Sequence, residues 1–160
     1  MIFRTLIPED WAAVKEIYLQ GIATKNATFQ TEAPQWTDWD KSHLPFGRIV
    51  AIDKEIIVGW AALSAVSSRC VYAGVAEVSV YVSTGHTGKQ VGTLLLQNII
   101  RESEDNGIWT LQAGIFPENG SSVRIHEKAG FRTVGFREKI GQMDGIWRDT
   151  LLLERRSKLI

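Results

Sequence analysis

Two hydrophobic periods alternate along the chain, and each change of period marks an element. Ile2–Ile7 is a short β-like run ended by Pro8. From Glu9 onward, Trp11, Val14, Ile17, Tyr18 and Ile22 recur at helical spacing and predict an amphipathic helix to about Ala23. Residues 24–34 carry no clean period and read as a loop, after which Thr37 suits the N-cap of a short helix ending before Pro45. Arg48–Asp53 and Glu55–Leu63 are apolar, β-branched runs joined at Asp53-Lys54, the pattern of a hairpin. Val75–Val82 alternates strictly: Val75, Glu77, Ser79 and Tyr81 share one face, and Ala76, Val78, Val80 and Val82 the other. The glycine-containing loop Ser83–Gly92 leads into a helix to about Asp105, buried on its Val91, Leu94, Leu95, Ile99 and Ile100 side and stopped by Asn106-Gly107. Leu111–Phe116 reads as a strand and Ser121–Ala129 as a helix closed by Gly130, with Phe131–Glu138 and Trp147–Leu153 as the last strands. The order β α α β β β α β α β β predicts an α/β (α+β) three-layer domain around a mixed sheet.

Composition narrows the class. A length of 160 residues without internal repeat or linker predicts one domain over 1–160. Eighteen Lys+Arg balance eighteen Asp+Glu, so net charge gives no reason to expect nucleic acid or an anionic membrane as partner. Cys70 stands alone, which excludes an internal disulfide and points to a reducing, cytoplasmic setting. His43, His86, His126 and Cys70 match no zinc spacing, so no metal is expected. The longest apolar runs fall far short of the roughly 18–20 residues of a membrane span.

The strand–loop–helix passage from Val80 to Thr93 presents unpaired backbone N–H groups at a helix N-terminus, where the dipole adds positive potential and Lys89 a full charge. Such a place binds phosphate. The bland alternative is a connection whose glycines only satisfy turn geometry. The loop is neither Gly-x-Gly-x-x-Gly nor a P-loop, so dinucleotide and nucleoside triphosphate binding lose support.

Val80–Leu95, followed at Asn119–Phe131 by Asn-Gly-Ser-Ser-Val-Arg-Ile-His-Glu-Lys-Ala-Gly-Phe, resembles the GNAT acyl-CoA N-acyltransferases. Their pyrophosphate loop, Gln/Arg-x-x-Gly-x-Gly/Ala, aligns with Thr87–Gly92. Ala27–Glu32, Ala76–Val82, His126–Phe131 and Gly141–Asp149 are similar to the phosphinothricin and methionine sulfoximine acetyltransferase branch, and the resemblance spans about residues 2–155. It implies a central, mostly antiparallel sheet flanked by helices, acetyl-CoA as cosubstrate, a small amino-acid-like amine as acceptor, and a homodimer. It also implies that Val80, Tyr81 and Val82 hold the thioester and pantetheine through backbone amides. Gly88, Lys89, Gln90, Val91, Gly92 and Thr93 would cradle the pyrophosphate, and Asn119 would touch the pantetheine arm. Two positions depart from the pattern. Thr87 replaces Arg or Gln, and Gln90 replaces the first motif glycine, where a side chain crowds the pyrophosphate and weaker CoA binding is expected.

Amide formation from a thioester needs a neutral amine, donors for the oxyanion and a proton for the thiolate, but no enzyme nucleophile. Glu77, a carboxylate in an otherwise apolar strand, is the candidate base; the structural alternative is a solvent-facing carboxylate or one salt-bridged to Arg69. His126 either protonates the thiolate or relays protons, or it is a helix histidine packed on the sheet. Tyr81 is a second candidate acid. Arg69 with Tyr72 would clamp an acceptor carboxylate, and Phe29, Thr31 and Glu32 would line the acceptor pocket. Trp147 and Leu151–Leu153 would supply a dimer interface. Two rival readings remain: a relative acting on a polyamine or protein N-terminus, and a non-catalytic acyl-CoA sensor. A polyamine site should be rich in carboxylates, whereas the expected rim offers Arg69.

Overall fold

The computed structural model describes residues 1–160. Its strands are β1 (Ile2–Thr5), β2 (Arg48–Asp53), β3 (Ile56–Ala65), β4 (Val75–Val82), β5 (Thr110–Ile115), β6 (Arg132–Met143) and β7 (Ile146–Arg156). Its α-helices are α1 (Trp11–Ala23), α2 (Trp36–Ser42), α3 (Val91–Asp105) and α4 (Gly120–Lys128). The seven strands form one sheet in the order β1-β2-β3-β4-β5-β7-β6, and only β4 and β5 run parallel. The predicted mixed, mostly antiparallel sheet flanked by helices is the one observed.

The alternation in β4 explains the layers. Ala76 and Val78 join an 18-residue core beneath α3, with Val80 and Val82 packed against it. On the other face Tyr81 packs against an eight-residue core built from α1, α2, Val50, Trp60 and Ala62. Helix α1 approaches closely because Gly21 lacks a side chain: a Cβ there would lie 2.7 Å from the Tyr81 ring. No helix is long and apolar enough to cross a membrane.

Most boundaries shift by one or two residues from expectation, and three of the differences have a clear local cause. Helix α2 starts at Trp36 with Gln35 as its N-cap, so Thr37 lies inside the first turn. The first hairpin turns at Lys54 and Glu55, both with positive φ (47° and 66°), so Glu55 is turn rather than strand. The last two strands are longer than their period suggests and meet across Asp144-Gly145, a two-residue turn with φ of 51° and 76°. Between the pairs Arg137–Thr150 and Gly141–Arg148, β6 carries a bulge that breaks its alternation. Leu153 is fully buried in the core, which removes it from the expected interface.

Candidate active site

The parallel pairing of β4 with β5 lasts from Val75–Thr110 to Glu77–Gln112 and then ends. Beyond it β4 stays with β3 and β5 with β7, so the edge of β4 from Val78 to Val82 has no strand partner. A slot opens where the strands part. It holds a cavity of about 390 Å³ walled by Glu77–Tyr81 and Ala113–Phe116, roofed by Ala27–Gln30 and closed by Asn119, Ser122 and His126.

Glu77 stands at the fork, half-buried. Gln112 Nε2 donates to its Oε2 at 3.2 Å, and no cation pairs with it. The alternative of a bridge to Arg69 does not hold: Arg69 lies over the Tyr72 ring, 5.5 Å from its centroid. Arg69, Tyr72 and Thr31 line neither this cavity nor its neighbour, whereas Phe29 lines the first and Glu32 the second. The expected carboxylate clamp is therefore not assembled at the cavity.

A different arginine is. Glu77 pairs with Gln112, Gln112 with Glu154, and Thr150 with Arg137; period two along β7 puts all of these on one face. Arg137 is the one cation lining the cavity, and it makes no ion pair. Neither it nor Gln112 is marked in the sequence, since both depend on strand register and, for Arg137, on the β6 bulge.

His126 is buried, and its Nδ1 lies 2.7 Å from the Ser122 carbonyl oxygen, which makes Nδ1 the protonated nitrogen. Its Nε2 then carries the lone pair and bonds to no protein atom. Burial pushes the imidazole pKa down, against the smaller opposing effect of the Ser122 bond, so the ring is neutral at pH 7. Tyr81 stacks on Trp60 with centroids 4.7 Å apart. Burial, chiefly, raises its phenol pKa far above the usual range, so it stays protonated and is a hydrogen-bond donor rather than a ready acid.

At the far end of β4, the backbone N–H groups of Gly88, Lys89, Gln90, Val91, Gly92 and Thr93 donate to nothing within the protein. Gly88 and Gln90 take left-handed backbone, with φ of 76° and 64°. Six consecutive amides left free at the N-terminus of α3, beside two left-handed residues, suit an anion, so the chain's own groups fit a pyrophosphate. Asn119 caps α4, accepting from Ser122 N at 3.4 Å, while its Nδ2 donates to Asn26 O at 3.2 Å.

The roof is held by Arg148. Its guanidinium donates to Lys25 O (2.8 Å) and Asn26 Oδ1 (2.9 Å) and lies 4.1 Å from the Phe116 ring centroid. Phe29 in turn meets Phe116 edge-on and touches the backbone of Gly141, where a Cβ would lie 3.0 Å from its ring.

A second cavity of about 560 Å³ shares Thr28, Gln30, Ser79 and Tyr81 with the first. Tyr18, Trp39 and Trp60 form its floor, and the exposed Glu32 and Asp38 its rim. The indole N–H groups of Trp39 and Trp60 are buried without partners. His43 also lines it, 4.0 Å from the Trp39 ring, with its pKa pushed down mainly by burial. No group of three or more side chains suited to a metal ion is present.

Comparison with known proteins agrees with this architecture. The profile of the acetyltransferase (GNAT) family matches residues 11–131. YwnH of Bacillus subtilis is 32% identical over 160 residues, covering 97% of this chain and 98% of the relative. A phosphinothricin N-acetyltransferase of Streptomyces coelicolor is 30% identical, covering 93% of this chain and 92% of the relative. The crystal structure of a phosphinothricin acetyltransferase from Sinorhizobium meliloti with acetyl-CoA superimposes with a TM-score of 0.88 at 25% identity, over 97% of this chain and 87% of that one.

Proposed function

The chain belongs to the acetyltransferase (GNAT) family and is an acetyl-CoA-dependent N-acetyltransferase; from that premise we propose that its acceptor is a small amino-acid-like amine, of the phosphinothricin or methionine sulfoximine kind, with Glu77 as general base. The observation that carries this reading is the unpaired Glu77 carboxylate at the fork of β4 and β5, in the wall of a cavity sized for a small molecule.

Acetyl-CoA supplies the acetyl group already activated as a thioester. The chain's own residues do the rest. The amides from Gly88 to Thr93 bind the pyrophosphate, the unpaired edge Val80–Val82 takes the pantetheine, and Asn119 touches that arm. Glu77 accepts the proton that the acceptor ammonium must lose, and Gln112 holds the carboxylate in place. His126, neutral with Nε2 free, is a relay for protons rather than a standing acid. Arg137 on the same face takes the acceptor's carboxylate, the task the sequence had suggested for Arg69 and Tyr72. Phe29, Thr31 and Glu32 belong to the acceptor side by the resemblance, with Phe29 in the Glu77 cavity.

Residues 1–160 act as one domain in this reading, and a homodimer forms through the β6–β7 hairpin. The setting is the cytoplasm, where the free, exposed Cys70 stays reduced. Thiol release across a panel of amines tests the activity. Glu77→Gln should lower kcat/KM by about 10²–10⁴ at neutral pH with CoA affinity intact, and the loss should shrink at high pH, where more amine is already neutral. Arg137→Gln should raise KM about tenfold to a hundredfold for acceptors bearing a carboxylate, and little for those without one. Near-wild-type turnover of Glu77→Gln on the true acceptor would make Glu77 structural.

A further inference from the structure

The loop that carries the free amides is tied to the rest of the molecule by one side chain, on a helix far from it in sequence. We infer that Gln20 is a positioning residue for acetyl-CoA: its side-chain oxygen fixes the turn at residues 84–87 and so presets the amides of Gly88–Thr93 for the pyrophosphate. The inference rests on the reading of those amides as the pyrophosphate cradle.

Gln20 Oε1 accepts from the Thr84 N–H at 2.9 Å and lies 3.5 Å from the Thr84 hydroxyl. No other hydrogen bond joins residues 84–90 to a part of the chain outside this loop and the helix it enters. Just before the turn, the Ser83 N–H donates to Val58 O on β3 at 2.9 Å. The remaining bonds close the turn on itself: the His86 N–H to Ser83 O, Ser83 Oγ with His86 Nδ1, and Thr87 Oγ1 to Thr84 O. Packing adds little. Every residue from 84 to 90 except His86 is exposed, and a Cβ at Gly85 or Gly88 would meet nothing within 4 Å. A loop so lightly held has many conformations to lose on binding, and apparent affinity falls with the fraction of molecules in which the cradle is formed.

The anchor is itself fixed. Gln20 Nε2 donates to Glu16 Oε1 one turn back, at 3.4 Å, which leaves the amide oxygen for Thr84. The next residue, Gly21, seats α1 so closely on the Tyr81 ring that a Cβ would lie 2.7 Å from it. Tyr81 belongs to β4, the strand from which the loop departs. Helix α1 and β4 therefore form one packed block, and the Gln20 oxygen holds the loop to it.

Calorimetry on the intact protein tests this, with CoA titrated directly and pantetheine, which lacks the pyrophosphate, by displacement of CoA. The native protein should bind CoA far more tightly than pantetheine. Gln20→Met keeps the length and helix preference of the side chain but loses its carbonyl oxygen. It should weaken CoA about threefold to tenfold, the order of one neutral hydrogen bond, and leave pantetheine within about twofold. Gln20→Glu keeps an oxygen for Thr84 and should stay within about twofold of the native protein for CoA at about 0.5 M salt, which screens its added charge. Native CoA affinity in Gln20→Met, an equal loss for CoA and pantetheine, or a Gln20→Glu variant as weak as Gln20→Met at that salt would each overturn the inference while the cradle stands. A native protein that binds CoA and pantetheine alike would instead overturn the cradle, and this inference with it.

Discussion

At Gln90 the backbone takes a φ of 64°, a region where an L-residue costs about 1–2 kcal/mol over glycine. The family pattern puts glycine here, and the positive φ explains why. Gln90→Gly removes the strain but frees the unfolded chain, so a net gain of a few tenths to about 1 kcal/mol in urea unfolding is expected. Calorimetry should find CoA bound as well or better. A marked loss of affinity would mean that the Gln90 side chain itself holds the cosubstrate. The sequence marks this position because its departure is local. Arg137 and Gln112 show the opposite case: their place on the Glu77 face is set by register across four strands, and no spacing along the chain reveals it.

Among elements, the β6–β7 hairpin does more than close the sheet. Arg148 on β7 reaches across to the loop at Lys25 and Asn26, and the bulge opposite it brings Arg137 and Ile140 to the cavity. Arg148→Ala removes the two hydrogen bonds to that loop, the longer contacts with Glu118 Oε2 and Met143 Sδ, and a cation–π contact, so a loss of about 2 kcal/mol is expected in chemical denaturation. The acceptor KM should rise while CoA affinity holds, and Arg148→Lys should fall between, since a point charge cannot make the forked contact. Element type and order were legible in the sequence because periods of 3.6 and 2 are local signals. The length of this hairpin was not. Residues 138–140 break the alternation at the bulge, with Lys139 at a φ of 48° and its N–H bonded to Asp149 Oδ1 at 2.7 Å, so the strand reads as ended when it has only kinked. The parallel pairing of β4 with β5, which creates the site, joins residues 35 apart in sequence and leaves no local trace.

For the whole molecule, the exposed apolar residues of the hairpin, Phe136, Ile146 and Trp147 at 56%, 65% and 54%, point to a covered surface. Sedimentation equilibrium at micromolar concentration should give a dimer and Trp147→Asp a monomer; a monomeric native protein would remove this face from the proposal. Stability should also depend on acidity. Burial lowers the pKa of both His126 and His43 below the ordinary value of about 6.5. Above that value neither state binds the protons; as pH falls through it, the unfolded chain binds them first, so the fold loses stability toward acid. Melting temperature should drop between about pH 7.5 and pH 5.5, and His126→Gln should blunt the fall. The sheet itself has a seam. β1–β4 on one side and β5, β7 and β6 on the other are each stitched by long antiparallel ladders, but only three residue pairs join the two parts. Below the sheet, however, the core beneath α3 crosses that seam, with Leu63, Ala76 and Val78 from one part and Leu111, Ala113, Ile115 and Leu153 from the other. The two parts are therefore clamped by shared apolar packing rather than by ladder hydrogen bonds, and the slot is a gap in the ladder that leaves the packing beneath it whole.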